Sequence, residues 1–310
     1  MGHRLVSPVI TRCFREFGLS SVFAALLCPA GCMSTVRPND SGGGQPAGPV
    51  VNPQGSGANP GIPSAPLPPV VPIGGATPPG LPVIVNTTGG SGGPKGDNQL
   101  KSAGGLSYII NAPADNGVAG KAHGLLILLH GSSASNYREF VGMMSGVAAQ
   151  YQLIRVSVQA PNGSGWNEGP QEKSAALLDR LVQEDLLPKY NVSRNRIFFS
   201  GQSSGGGFLS THFVPLFSQK YQGGAFLQCG AAPPQSAFKP SAETAKNFRL
   251  HFEITTGDPI WPDSYRQAVD VYQKAGMSLT KDNTKPGGHC AFDQQKVIAD
   301  HIAFVSGQGT

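Results

Sequence analysis

A serine hydroxyl attacks an acyl carbon when a base can take its proton and an acid holds that base in one tautomer. The stretch Arg196 to Gly207, RIFFSGQSSGGG, offers the serine. Ile197, Phe198 and Phe199 make an apolar run short enough for a buried strand, which leads straight into Gly201-Gln202-Ser203-Ser204-Gly205. In a G-x-S-x-G elbow a strand turns sharply into a helix. The middle residue is pushed out at the sheet edge, and glycines two positions either side let neighbouring backbone pass. Ser203 is that residue. Ser204 cannot take its place, because position 202 would then have to be glycine and is Gln202.

Such a pentad arises often by chance, so its partners decide its meaning. Leu250 to Ile254 reads as a strand running into Thr255-Thr256-Gly257-Asp258-Pro259, which sets Asp258 at a strand's carboxyl end as the candidate acid. Asp263 competes with it, but lies where the next helix starts, a position at which an acidic residue ordinarily caps the helix. The turn Pro286-Gly287-Gly288-His289-Cys290 precedes the last helix and supplies His289 as the candidate base. Among the other histidines, His130 directly after a strand, His212 in the nucleophile helix, His251 in a strand and His301 on the apolar side of the last helix are better read as packed or surface groups.

The order Ser203, Asp258, His289 is the chain order of α/β-hydrolases. Residues 100 to 306 resemble the secreted esterase group that includes feruloyl and acetyl-xylan esterases and polyhydroxyalkanoate depolymerase-like enzymes. The matching pieces are His130-Gly131 after a strand, Arg194 to Gly206, Gly257-Asp258-Pro259 and Gly288-His289. The resemblance implies that Ser203 attacks an ester, with no cofactor, and that backbone donors from Ser132 and Ser204 receive the oxyanion. It leaves the substrate open, polymeric plant or polyester material included. Trp166, in the loop after the fourth strand, and Trp261, after the acid turn, are candidates to stack on a sugar or phenolic ring or to pack beneath a loop. A catalytically silent α/β-hydrolase fold used for surface binding is the alternative reading.

The elements that must position these residues alternate along the chain. Leu106 to Ala112, Gly124 to Leu129, Leu153 to Gln159, the nucleophile strand, Ala225 to Gln228, Leu250 to Ile254 and Met277 to Thr280 read as strands. Helical patterning lies at Asn136 to Gln150, Lys173 to Leu187, Ser204 to about Gln219, Ser264 to Lys274 and Phe292 to Ser306. The near-continuous apolar run of Gly124 to Leu129 suits a strand covered on both faces. This alternation predicts an α/β, doubly wound, mostly parallel sheet. About twenty residues separate Cys229 from Arg249, too few for a large lid domain.

Residues 1–32 read as an export signal, with Arg4, Arg12 and Arg15 ahead of an apolar run, Leu19 to Leu27, that is short for a membrane span. Cys28-Pro29-Ala30-Gly31-Cys32 resembles a bacterial lipobox, except that Pro29 stands where leucine is usual. Lipid attachment at Cys32, with membrane anchoring, and plain secretion both stay open. Residues 33–99 are rich in glycine and proline, with no charged residue from Ser41 to Pro94, and read as a semi-extended linker. Residues 100–310 read as the catalytic domain. A net charge of +5, without clustering of basic residues, gives no support to nucleic-acid binding. The cysteine and histidine spacing shows no metal site. Oligomeric state is not legible. Cys229, at the end of the strand after the nucleophile strand, and Cys290, next to the candidate base, should approach the same sheet edge, where they form either a disulfide or two separate buried thiols.

Overall fold

The computed structural model describes residues 86–132 and 137–307. The expected export signal, Cys32 and the expected linker as far as residue 85 lie outside the described residues. Eight strands form one sheet: β1 (Gly96–Ala103), β2 (Leu106–Ala112), β3 (His123–Leu129), β4 (Leu153–Val158), β5 (Val192–Gln202), β6 (Gly223–Gln228), β7 (Phe248–Glu253) and β8 (Leu279–Asp282). Their spatial order is β1-β2-β4-β3-β5-β6-β7-β8. β1 and β2 are antiparallel, as are β2 and β4, whereas every pair from β4 to β8 is parallel. The parallel strands therefore deliver all their carboxyl ends to one edge, and the loops after β3, β4, β5, β6, β7 and β8 start there.

Alternation along the central strands builds two cores, one on each face of the sheet. On β3, Leu125, Ile127 and Leu129 join one apolar cluster and Leu126 and Leu128 the other; on β5, Ile197 and Phe199 separate in the same way from Phe198. The first face is covered by α3 (Gln171–Arg180), which continues through a π-helical stretch into α4 (Leu187–Lys189). It is also covered by the nucleophile helix and by α8 (Pro262–Lys274). That nucleophile helix runs as α5 (Ser204–Phe208), a π-helical stretch from Leu209 to Phe213, and α6 (Val214–Phe217). The second face is covered by α1 (Tyr137–Met143), α2 (Ser145–Gln150) and α9 (Gln294–Val305). Between β6 and β7 there is only a coil and α7 (Ala242–Asn247), started by the Ser241 side chain accepting from the Thr244 amide, and no lid domain.

One expected boundary moves. The segment from 86 to 99, read as linker, packs on the domain: Thr87 bridges to Ser193, the Thr88 amide donates to the Val192 carbonyl at 2.9 Å, and β1 begins at Gly96. Its glycines serve close approach. A side-chain carbon at Gly90 would lie 2.6 Å from the Tyr190 backbone, and one at Gly93 would lie 2.6 Å from the Tyr190 ring. Composition alone does not separate glycine used for flexibility from glycine used for contact.

Candidate active site

β5 ends at Gln202, and Ser203 follows with φ 51° and ψ −114°, a conformation that a residue with a side chain rarely adopts. The strain persists because the surroundings leave no room to relax. A carbon added at Gly201 would sit 2.4 Å from Gly205 backbone, and one at Gly205 would sit 2.5 Å from the Leu129 carbonyl oxygen. One at Gly230 would sit 1.9 Å from the Ser203 carbonyl oxygen. The two motif glycines thus do what the sequence pattern requires of them, whereas Gly230, at the end of β6, has no local signal.

The Ser203 hydroxyl donates to His289 Nε2 at 2.8 Å, and His289 Nδ1–H donates to Asp258 Oδ2 at 2.7 Å. The Asp258 side chain is fully buried, while the imidazole keeps a quarter of its surface in solvent. The other oxygen of Asp258 accepts the amides of Ile260 at 2.8 Å and Trp261 at 3.2 Å, so the carboxylate is held at both oxygens. Asp263 is exposed in the first turn of α8 and pairs with Arg266, away from this chain of hydrogen bonds.

Two loops far apart in sequence carry Asp258 and His289, and they are stitched together. The Thr256 amide donates to the Lys285 carbonyl at 2.9 Å, the Gly257 amide to Gly287 at 3.1 Å, and the Thr255 hydroxyl to Gly288 at 2.8 Å. Beyond His289 a disulfide closes the arrangement: Cys290 is bonded to Cys229 with Cα atoms 5.2 Å apart. Both cysteines have positive φ, 46° at Cys229 and 55° at Cys290.

The expected oxyanion residues lie on the other side of Ser203. Gly131 lies against Ser203, whose Cβ would be 3.4 Å from a carbon added at Gly131, and Ser132 follows it directly. A carbon at Gly165 would be 3.4 Å from Ser132 Cα and 3.5 Å from Ser204 Oγ, so the loop after β4 brings the two serines around one point. Ser204 opens α5, where the first amides have no intrahelical acceptor. His130 is fully buried and holds this loop in place. Its Nδ1–H donates to the Gly131 carbonyl at 2.6 Å and its Nε2 accepts the Ala160 amide at 3.0 Å, an arrangement open only to neutral imidazole. Burial correspondingly holds its pKa below the ordinary value.

Of the two alternatives for Trp166, the structure has the ring packed beneath the loop. Its ring is 1% exposed and packs on Phe208, with centroids 4.9 Å apart, and near His130 at 6.1 Å. It supports the loop from within and offers no face to a substrate. Trp261 is part-buried, and its ring edge would meet a carbon at Gly207 at 2.7 Å, which places it under the nucleophile helix. The exposed apolar residue at this rim is Ile260, at 60%, whose amide is already fixed on Asp258. Sequence gave no reason to prefer Ile260 to its neighbours, since its exposure depends on the whole turn.

No protein-family model matches the chain, and no curated protein matches it in sequence. Solved structures do resemble it. A carboxylesterase from Mesorhizobium loti superposes with a TM-score of 0.50 at 17% identity, over 66% of this chain and 96% of that one. A phospholipase/carboxylesterase from Dyadobacter fermentans gives 0.49 at 16% identity, over 63% and 95%. A ferulic acid esterase gives 0.48 at 17%, over 65% and 92%. With the strand order and the elbow already described, the Mesorhizobium match establishes the α/β-hydrolase fold for the described part of the chain.

Proposed function

We propose that the protein is a serine ester hydrolase working through Ser203, His289 and Asp258 and an acyl-enzyme. The observation that carries this reading is the unbroken hydrogen-bonded path from the Ser203 hydroxyl through both nitrogens of His289 to a buried carboxylate, placed on a strained elbow. In acylation Ser203 Oγ bonds to the ester carbon while His289 Nε2 takes its proton, and the imidazolium is stabilised by Asp258. The negative charge moves to the former carbonyl oxygen, which the amides of Ser204 and Ser132 receive. When the tetrahedral species collapses, the bond to the alcohol oxygen breaks and His289 returns the proton to it. Water then repeats the sequence on the acyl-enzyme, giving the acid and free Ser203.

The rim supports a substrate class. Ile260 presents apolar surface beside the acid turn, and the β6–β7 connection adds no lid, which together favour an ester with an apolar portion, polymeric plant or polyester esters included. Export by residues 1–32, and anchoring through Cys32, belong to the same proposal and rest on the sequence pattern there. A fluorophosphonate probe and short-chain nitrophenyl esters test the enzyme reading. Labelling and turnover are expected in the folded protein, and both are lost in Ser203→Ala. Folded protein that neither labels nor turns over any ester would leave the silent binding fold as the better reading.

A further inference from the structure

On the face of β7 that packs toward α9 lies a second group of polar side chains, separate from the triad. His251 and Glu253 are two residues apart on one strand, so they project to the same side. α9 brings His301 across to them, its ring stacked on His251 with centroids 3.6 Å apart. Scattered in sequence, the ligand atoms of the three residues lie within 4.8 Å of one another. His251 and Glu253 are fully buried, and His301 is part-exposed at the edge, which leaves an entry path.

We propose that His251, Glu253 and His301 form a zinc site that ties α9 to β7. Two imidazoles and one carboxylate are a ligand set Zn²⁺ favours, with a fourth position for water. His251 Nε2 and Glu253 Oε2 are 3.2 Å apart, close to the roughly 3.3 Å that separates ligands about 2.05 Å from a tetrahedral zinc. The outer contacts fit as well. Thr280 Oγ1 lies 3.0 Å from His251 Nδ1 and can accept its proton, which leaves the Nε2 lone pair for metal. Lys285 occupies the other carboxylate oxygen of Glu253 at 2.9 Å and is itself balanced by Asp282 at 3.0 Å, so Oε2 remains for metal.

Binding requires the part-exposed His301 ring to leave the stack and turn a lone pair toward Glu253.

The test uses chelator-treated full-length protein titrated with Zn²⁺ by calorimetry, with melting followed in parallel. One zinc per chain is expected, with a saturable rise in melting temperature. His301→Asn should weaken binding at least tenfold, whereas His289→Ala, a histidine outside this group, should bind as wild type. Absence of saturable one-to-one binding in wild type would overturn the proposal, as would binding kept by His301→Asn and lost by His289→Ala. Because that variant could fold poorly, Co²⁺ bound to wild type supplies a second reading. Tetrahedral absorption bands with nitrogen and oxygen ligation support the site, and sulfur or all-oxygen ligation refutes it. Since these residues do not touch Ser203, the result is independent of whether the esterase reading holds.

Discussion

Removing the Cys229–Cys290 disulfide should cost both stability and rate, and the two losses have different origins. The bridge joins residues 61 apart, and closing a loop of that length in the unfolded chain is worth about 4 kcal/mol at 25 °C by chain entropy. Against this, Cys229 and Cys290 both have left-handed backbone, which costs about 1–2 kcal/mol for a residue with a side chain, and a freed Cys290 could relax part of it. The expected net loss is about 3 kcal/mol. For a domain of this size that corresponds to a melting temperature lower by about 6–12 °C.

The rate loss comes from His289, which sits immediately before Cys290. Its amino-terminal side stays tethered through Gly287 and Gly288 to the acid turn, but its carboxyl-terminal side loses its covalent hold. A displacement of the imidazole by about 1 Å can reduce turnover by up to about 100-fold. The double variant Cys229→Ser/Cys290→Ser avoids a stray thiol, and its melting curve and nitrophenyl acetate turnover are compared with wild type. Melting within 2 °C (about 1 kcal/mol or less at this size) together with turnover within about twofold of wild type would refute the claim that the bridge holds the base.

Asp258→Ala should lower kcat by about 10³-fold or more, because the imidazole loses both its orientation and its counter-charge, while Asp263→Ala stays within about twofold; equal losses in steady-state assays would sink the assignment of the acid. Ile260→Ser should raise KM for hexanoate esters about fivefold with kcat and acetate KM little changed, since roughly 1 kcal/mol of apolar contact is removed; no chain-length dependence would refute the apolar rim. Stability should fall as pH drops below about 6.5. Buried His130 has a depressed pKa, so between that value and the unfolded one the unfolded chain binds more protons. Asp282, depressed to about 2, loses its contribution only at pH below about 4 and does not overlap that window. Urea midpoints that stay level from pH 7.5 to 5 would contradict the role given to His130.

What the sequence determines by itself is local. The apolar run, the pentad around Ser203 and the glycines beside it specify a strand, a sharp turn and a helix within a dozen residues, and no distant contact is needed to read them. The order of strands and helices likewise follows from periodicity, and once the strands are parallel, Asp258 and His289 must emerge at the elbow's edge. Tertiary structure decided the rest. Whether glycine-rich chain from 86 to 99 is tether or packed strand depends on Tyr190 and Asn116, which lie elsewhere in the sequence. Trp166 is buried because Phe208 and His130 close over it, and Ile260 is exposed because nothing does. His251, Glu253 and His301 meet only when α9 lies on β7. Periodicity records which face a side chain takes on its own element. It carries no record of which other element lies opposite, and burial, bridging and ligation are properties of that pairing.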